Sequence, residues 1–190
     1  LQLVPNSKIV YIPNARDFSG ANTERREKHI LSDISSLEEL GLAVKRVDLR
    51  DYFGKEEILR VKLKEIGAVF ISGGNVFVLR QAMKLSGLDR ILKTFQNDSK
   101  DFLYAGYSAA GCVLAPTLKA YEIVDPVDTP YHEMKDVIWE GLGLVDFAFM
   151  PHWNSDHPES ADIDKEIAYC KSNNIAYEAI SDGDVIIFSS

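Results

Sequence analysis

Short apolar runs alternate along the chain with segments in which apolar residues recur every three to four positions. The runs are Lys8 to Pro13, Ala43 to Leu49, Ala68 to Ser72, Phe102 to Ala105, Val145 to Met150, Ala176 to Ile180 and Val185 to Phe188. Each is rich in β-branched or aromatic residues, the pattern of strands in a parallel sheet covered on both faces. Between the first two, Thr23 to Leu40 places Ile30, Ile34 and Leu37 on one face with charges opposite, and Gly41 follows as a stop, which predicts an amphipathic helix. The same period predicts helices over Lys55 to Ile66, Val76 to Lys84, Leu88 to Gln96, Ala109 to Leu114 and Asp162 to Ser172. In the last of these Ile163, Ile167 and Cys170 share a stripe, Pro158 suits a first helical turn, and Asp156 or Ser160 is placed to cap it. No repeat, Gly/Ser linker or shift of composition divides the 190 residues, so the expectation is a single α/β domain over residues 1–190, with a doubly wound, mostly parallel sheet and helices on both faces. The chain opens at Leu1, which leaves room for a further strand ahead of it.

Composition narrows the function classes. Hydrophobic residues make up 46% and charged residues 26%, which excludes a disordered or low-complexity chain. With 21 basic against 29 acidic residues the net charge is −8, and the basic residues form no block, so a phosphate-backbone partner is not expected. Two cysteines, Cys112 and Cys170, supply neither a disulfide framework nor a zinc pattern, and a reducing compartment fits them. No apolar run approaches the ~18 to 20 residues that span a bilayer, and the opening lacks the features of a secretion signal, so the expected location is the cytoplasm, with no membrane partner.

In an open α/β sheet, ligands gather beyond the carboxyl ends of the strands, and three turns there carry candidate chemistry. The first is Ser-Gly-Gly-Asn at Ser72 to Asn75, where two glycines allow main-chain N–H groups to face an anion; a plain strand-to-helix turn explains it equally, and the lysine and spacing of a nucleotide loop are absent. The second is Gly-Tyr-Ser-Ala-Ala-Gly at Gly106 to Gly111. A serine on a sharp strand-to-helix turn exposes its hydroxyl, which makes Ser108 a candidate nucleophile, with the next N–H free to hold an oxyanion; a serine cap is the structural alternative. The third is Met150 to Asp156, where His152 stands at a strand end as a candidate general base, or as a structural histidine beside Trp153. Their coincidence at successive strand ends says more than any one of them.

These segments together resemble the peptidase E and cyanophycinase family of serine peptidases, whose fold is similar to that of class I glutamine amidotransferases. The resemblance runs from about Ile66 to Phe188 and is carried by GGNVFVLR, GYSAAGCVLAPTL, IVDP, PHWNSDHPES and ISDGDVIIF, in that order. It implies Ser108 as nucleophile, His152 as its base, and the N–H groups of Gly74 and Ala109 as the oxyanion hole, acting on a short peptide through an acyl-enzyme without metal or cofactor. For the acid that orients the histidine, the resemblance offers Asp182, in the Asp-Gly turn before the last run, with Glu122 and Asp125 as rivals in the segment after the elbow. An Asp-Gly between apolar runs is also a hairpin signal.

Two departures bear on specificity. The elbow reads Ser-Ala-Ala-Gly, so Ala110 stands where the family has a glycine. In the helix after His152, where aspartyl-specific members carry an arginine, the stretch ADIDKEIAY is acidic with Lys165 its only cation, which disfavours an aspartyl side chain. Cys112, one helical turn after Ser108, is expected to pack beneath the elbow; His29, His132 and His157 are expected at the surface, and Trp153 is the better candidate of the two tryptophans for a pocket wall. Two other readings stay open: a cyanophycinase-like hydrolase of β-aspartyl-arginine units, and a non-catalytic homologue that binds a small molecule. A homo-oligomer is compatible with either.

Overall fold

The computed structural model describes residues 4–18, 20–98 and 102–188. Its frame is a parallel sheet of four strands in the order β2-β1-β3-β4, made from β1 (Lys8–Ile12), β2 (Ala43–Arg46), β3 (Ala68–Ile71) and β4 (Leu103–Gly106). The central strand β1 pairs Lys8 with Ala43 on one side and Val10 with Val69 on the other. A second parallel pair joins β5 (Ala148–Met150) to β6 (Tyr177–Ala179). Six of the seven apolar runs therefore become strands. The seventh does not: Val185, Ile187 and Phe188 are 78%, 76% and 61% exposed, and the segment pairs with none of the described strands. A strand exists only through its ladder, so apolar alternation without a neighbouring edge leaves an extended segment. Phe188 does make a contact, its ring lying 5.3 Å from that of Phe147.

Alternation along β1 sends its residues to two cores. Ile9 and Tyr11 pack with Ile30 and Leu37 of α1 (Thr23–Glu39), while Val10 and Ile12 join the larger core built by α2 (Glu56–Ile66), α3 (Val76–Ser86), α4 (Leu88–Asp98), α5 (Ala109–Cys112) and α6 (Ser160–Ser172). Both faces of the sheet are thereby covered, as the apolar character of the inner strands β1 and β3 requires. Asparagines set two helix starts: Asn22 accepts from the Arg25 N–H ahead of α1, and Asn75 accepts from the Val78 N–H ahead of α3. At α6 the start differs from expectation. It begins at Ser160, two residues before Asp162, and neither Asp156 nor Ser160 caps it, because the Ser160 hydroxyl instead accepts from the Ser155 N–H at 3.1 Å. Among the described residues no helix is long and apolar enough to cross a membrane.

Candidate active site

Ser108 stands between β4 and α5 with φ 50° and ψ −117°, a conformation that L side chains rarely adopt and that neighbouring bonds must hold in place. Those bonds run from the Ala110 N–H to the Tyr107 carbonyl at 3.1 Å and from the Gly111 N–H to the Ser108 carbonyl at 2.8 Å. The elbow accommodates Ala110, which is fully buried, by having no side chain at Gly106: a Cβ there would lie 2.5 Å from the Ala110 Cβ and 2.6 Å from the Ile71 carbonyl oxygen. The departure in the elbow sequence is thus absorbed at the end of β4.

The turn after β3 lies against the same elbow. Gly74 has φ 144°, and a Cβ on it would meet the Ala15 carbonyl oxygen at 2.3 Å, so the position excludes a side chain twice over. Among the described residues neither the Gly74 N–H nor the Ala109 N–H donates to a protein acceptor.

His152 follows β5 with φ 62°, and its Nδ1 lies 2.6 Å from Asp182 Oδ1 in the turn after β6. Two parallel strands end side by side here, which is what brings residues thirty positions apart into contact. The loops are laced further: the Trp153 N–H donates to the Ile180 carbonyl at 3.1 Å, the Ser181 hydroxyl to the Trp153 carbonyl at 2.8 Å, and the Asp182 N–H to the Ser155 hydroxyl at 2.7 Å. Of the three acids named from the sequence, Asp182 is the one that meets His152. Asp125 turns elsewhere, accepting from the Val76 N–H at 2.7 Å at the start of α3, and Glu122 bonds to neither His152 nor Ser108. Among the described residues no hydrogen bond joins the Ser108 hydroxyl to the His152 ring.

Ser108 also opens onto a cavity of about 20 Å³ whose walls include Cys112, Asp125, Pro151, Glu159 and Glu166. Burial dominates the electrostatics there. It pushes the Asp125 carboxyl up to about 7 and the Glu166 carboxyl up to about 8, and negative neighbours add to both shifts. Burial likewise holds the Cys112 thiol well above its ordinary range, so Cys112 packs beneath the elbow as a neutral group.

Three residues escaped the sequence reading. His157, expected at the surface, stacks on His152 with ring centroids 3.8 Å apart and planes 10° from parallel. Glu159 and Glu166 enter the cavity wall, and for Glu166 a signal existed, since it shares the helical stripe of Ile163, Ile167 and Cys170. Trp153, by contrast, does not line this cavity; its indole N–H donates to Asp164 at 3.1 Å. His152, His157 and Glu159 hold ligand atoms within 4.8 Å of one another. Stacked imidazoles direct their in-plane lone pairs side by side rather than to one point, so the trio does not make the convergent set that a metal needs.

Residues 2–189 match the model of Peptidase family S51. The chain belongs to that family. An uncharacterized peptidase of Listeria monocytogenes is 27% identical over 147 residues, 77% of this chain and 66% of its own length. A similar peptidase of Listeria innocua is 26% identical over 77% of this chain and 65% of its own length. The S51 chain thus spans slightly less than two thirds of these relatives. Peptidase E of Streptomyces coelicolor is 33% identical over 100 residues, 52% of this chain and 37% of its own length. In three dimensions a crystal structure of a candidate peptidase E from Listeria monocytogenes matches with a TM-score of 0.68 at 23% identity, covering 97% of this chain and 87% of that one, which establishes the shared α/β fold.

Proposed function

We propose that this S51 chain is a serine-type peptidase of short peptides, with Ser108 as nucleophile, His152 as general base, Asp182 as the acid that orients the base, and the N–H groups of Gly74 and Ala109 as oxyanion donors. The observation that carries the reading is the bond between His152 Nδ1 and Asp182 Oδ1 at 2.6 Å. A carboxylate on Nδ1 fixes the tautomer in which Nε2 has a free lone pair, the state that accepts a proton from a serine hydroxyl. The hydroxyl then attacks the peptide carbonyl, the developing negative charge falls to the two N–H donors, and the imidazolium returns its proton to the leaving amine; water repeats the sequence on the acyl-enzyme. The contact between base and nucleophile closes when substrate is bound, as catalytic hydrogen bonds commonly do.

A second reading is a non-catalytic small-molecule binding protein, and what favours it is the lack of a hydrogen bond between Ser108 and His152 among the described residues. A fluorophosphonate probe separates the two. The peptidase reading expects labelling of Ser108, and expects Ser108→Ala to abolish both labelling and turnover of peptides or esters while the protein stays folded. A folded, unlabelled wild-type protein, or turnover that survives Ser108→Ala, overturns it.

A further inference from the structure

Of the three acids that wall the cavity beside Ser108, Glu166 is the informative one. Its side chain comes from the buried stripe of α6, the residue is 2% exposed, and among the described residues it has no hydrogen-bond or ion-pair partner. The charged groups that face it, Asp125, Glu159 and Asp162, are all acidic, and the remaining titratable groups around it are the Cys112 and Cys170 thiols and the Tyr121 hydroxyl. The cation nearest in sequence, Lys165, points outward to Asp162 at 2.5 Å with its side chain 68% exposed. Asp125 is anchored through one oxygen to the Val76 N–H, and among the described residues the basic side chain that Glu159 reaches is His157, 3.9 Å away.

Burying acidic groups together without a counter-charge is costly, and buried polar groups in folded proteins are as a rule satisfied. A carboxyl that the chain itself leaves unpaired, facing a cavity that also touches the candidate nucleophile, points to a partner that arrives from outside. A cation suits these acids, because its charge favours the ionised form that burial opposes. Its size is suggested by the cavity, whose 20 Å³ is near the ~10 to 15 Å³ that one water-sized group requires, enough for an ammonium.

We propose that the cavity formed by Ser108, Asp125, Glu159 and Glu166 is a subsite for a primary ammonium group of the peptide substrate, and that it selects cationic over aspartyl peptides. The assignment rests on the peptidase reading above. The ammonium replaces its water shell with carboxyl oxygens a short distance from the carbonyl under attack, and an aspartyl group in the same place meets further acidic groups and no cation.

The test compares kcat/KM of the wild-type protein and of Glu166→Gln and Glu159→Gln on four dipeptide amides: alanyl with a free amino end, lysyl acetylated on its α-amine, alanyl acetylated, and aspartyl acetylated. The subsite predicts that the wild type prefers an ammonium-bearing substrate to acetyl-alanyl by about tenfold or more, and that one or both glutamine variants reduce that ratio. Preference for free alanyl places the ammonium at the amino terminus; preference for acetyl-lysyl places it on the side chain. A ratio unaltered in two folded variants, or aspartyl as the best substrate, overturns the proposal. Calorimetry of lysinamide binding to Ser108→Ala, with and without Glu166→Gln, reads the subsite without catalysis, so a protein that binds the amine but is not labelled by fluorophosphonate fails the peptidase reading and keeps the subsite. Equal binding to the two proteins, or none to either, overturns the subsite.

Discussion

Asp182 reaches His152 from the rim, with 48% of its side chain exposed, while the histidine side chain is only 14% exposed. An exposed pair of this kind contributes at most about 1 kcal/mol to folding, so in the proposed mechanism its value lies in orienting the ring. Asp182→Asn is therefore expected to lower kcat by about 10³ to 10⁴-fold while moving the thermal midpoint little, a contrast that paired kinetics and melting curves would read. The cavity acids work the other way. Asp125 at about 7 and Glu166 at about 8 hold their protons more tightly in the folded state than in the unfolded chain. The stability they contribute is fully present below the ordinary carboxylate range and drains away as pH rises through 7 to 8. Melting temperature without ligand should thus rise as pH falls from about 8 toward 5, and Glu166→Gln should flatten that slope. At this scale the sequence was legible where a residue's position follows from its place at a strand end, as for Ser108 after β4 and His152 after β5. Glu166 was hidden because a periodicity argument treats glutamate as a solvent-facing position, and the stacking of His157 depends on a loop path that no local pattern encodes.

At the scale of elements, the turn from β3 into α3 ties together the parts that border the site. Asn75 accepts from the Val78 N–H at 3.0 Å and donates to the Pro126 carbonyl at 2.7 Å, so one side chain both starts the helix and holds the segment that carries Asp125. Asn75→Ala should cost about 1 to 2 kcal/mol in denaturant unfolding, from the lost cap and the carbonyl left without its donor. Gly74→Ala should be worse, about 2 to 4 kcal/mol, since the added Cβ meets a main-chain oxygen and the backbone angle opposes it; a small effect in the same assay would show that the turn can move away from Ala15. Element types and extents were readable here because apolar period and helix caps are local signals. The terminal run Val185 to Phe188 misled for the same reason, as its composition suits a strand but pairing is not a local property.

Over the whole molecule, helix-covered parallel strands could be read from alternating segments, but the order β2-β1-β3-β4 and the separation of β5-β6 could not, because both are set by contacts between distant residues. That separation is where the candidate machinery divides. Ser108 leaves β4, the edge of the four-stranded sheet, whereas His152 and Asp182 leave the two-stranded pair. Three-residue strands in a pair are held by few bonds, and small cooperative units of that sort open before a central sheet does. Turnover should therefore fail on heating at a lower temperature than the far-ultraviolet signal of the helices, and coincident loss of the two would show that the sheets melt as one.

The lacing between the His152 loop and the Asp182 turn gives such failure a particular form. The His152 loop and the Asp182 turn are joined through Trp153, Ser155 and Ser181, whereas among the described residues no hydrogen bond joins His152 or Asp182 to Ser108. Thermal or proteolytic damage at this rim would carry the imidazole and its carboxylate off together, still paired, and leave Ser108, the proposed nucleophile, behind on the larger sheet.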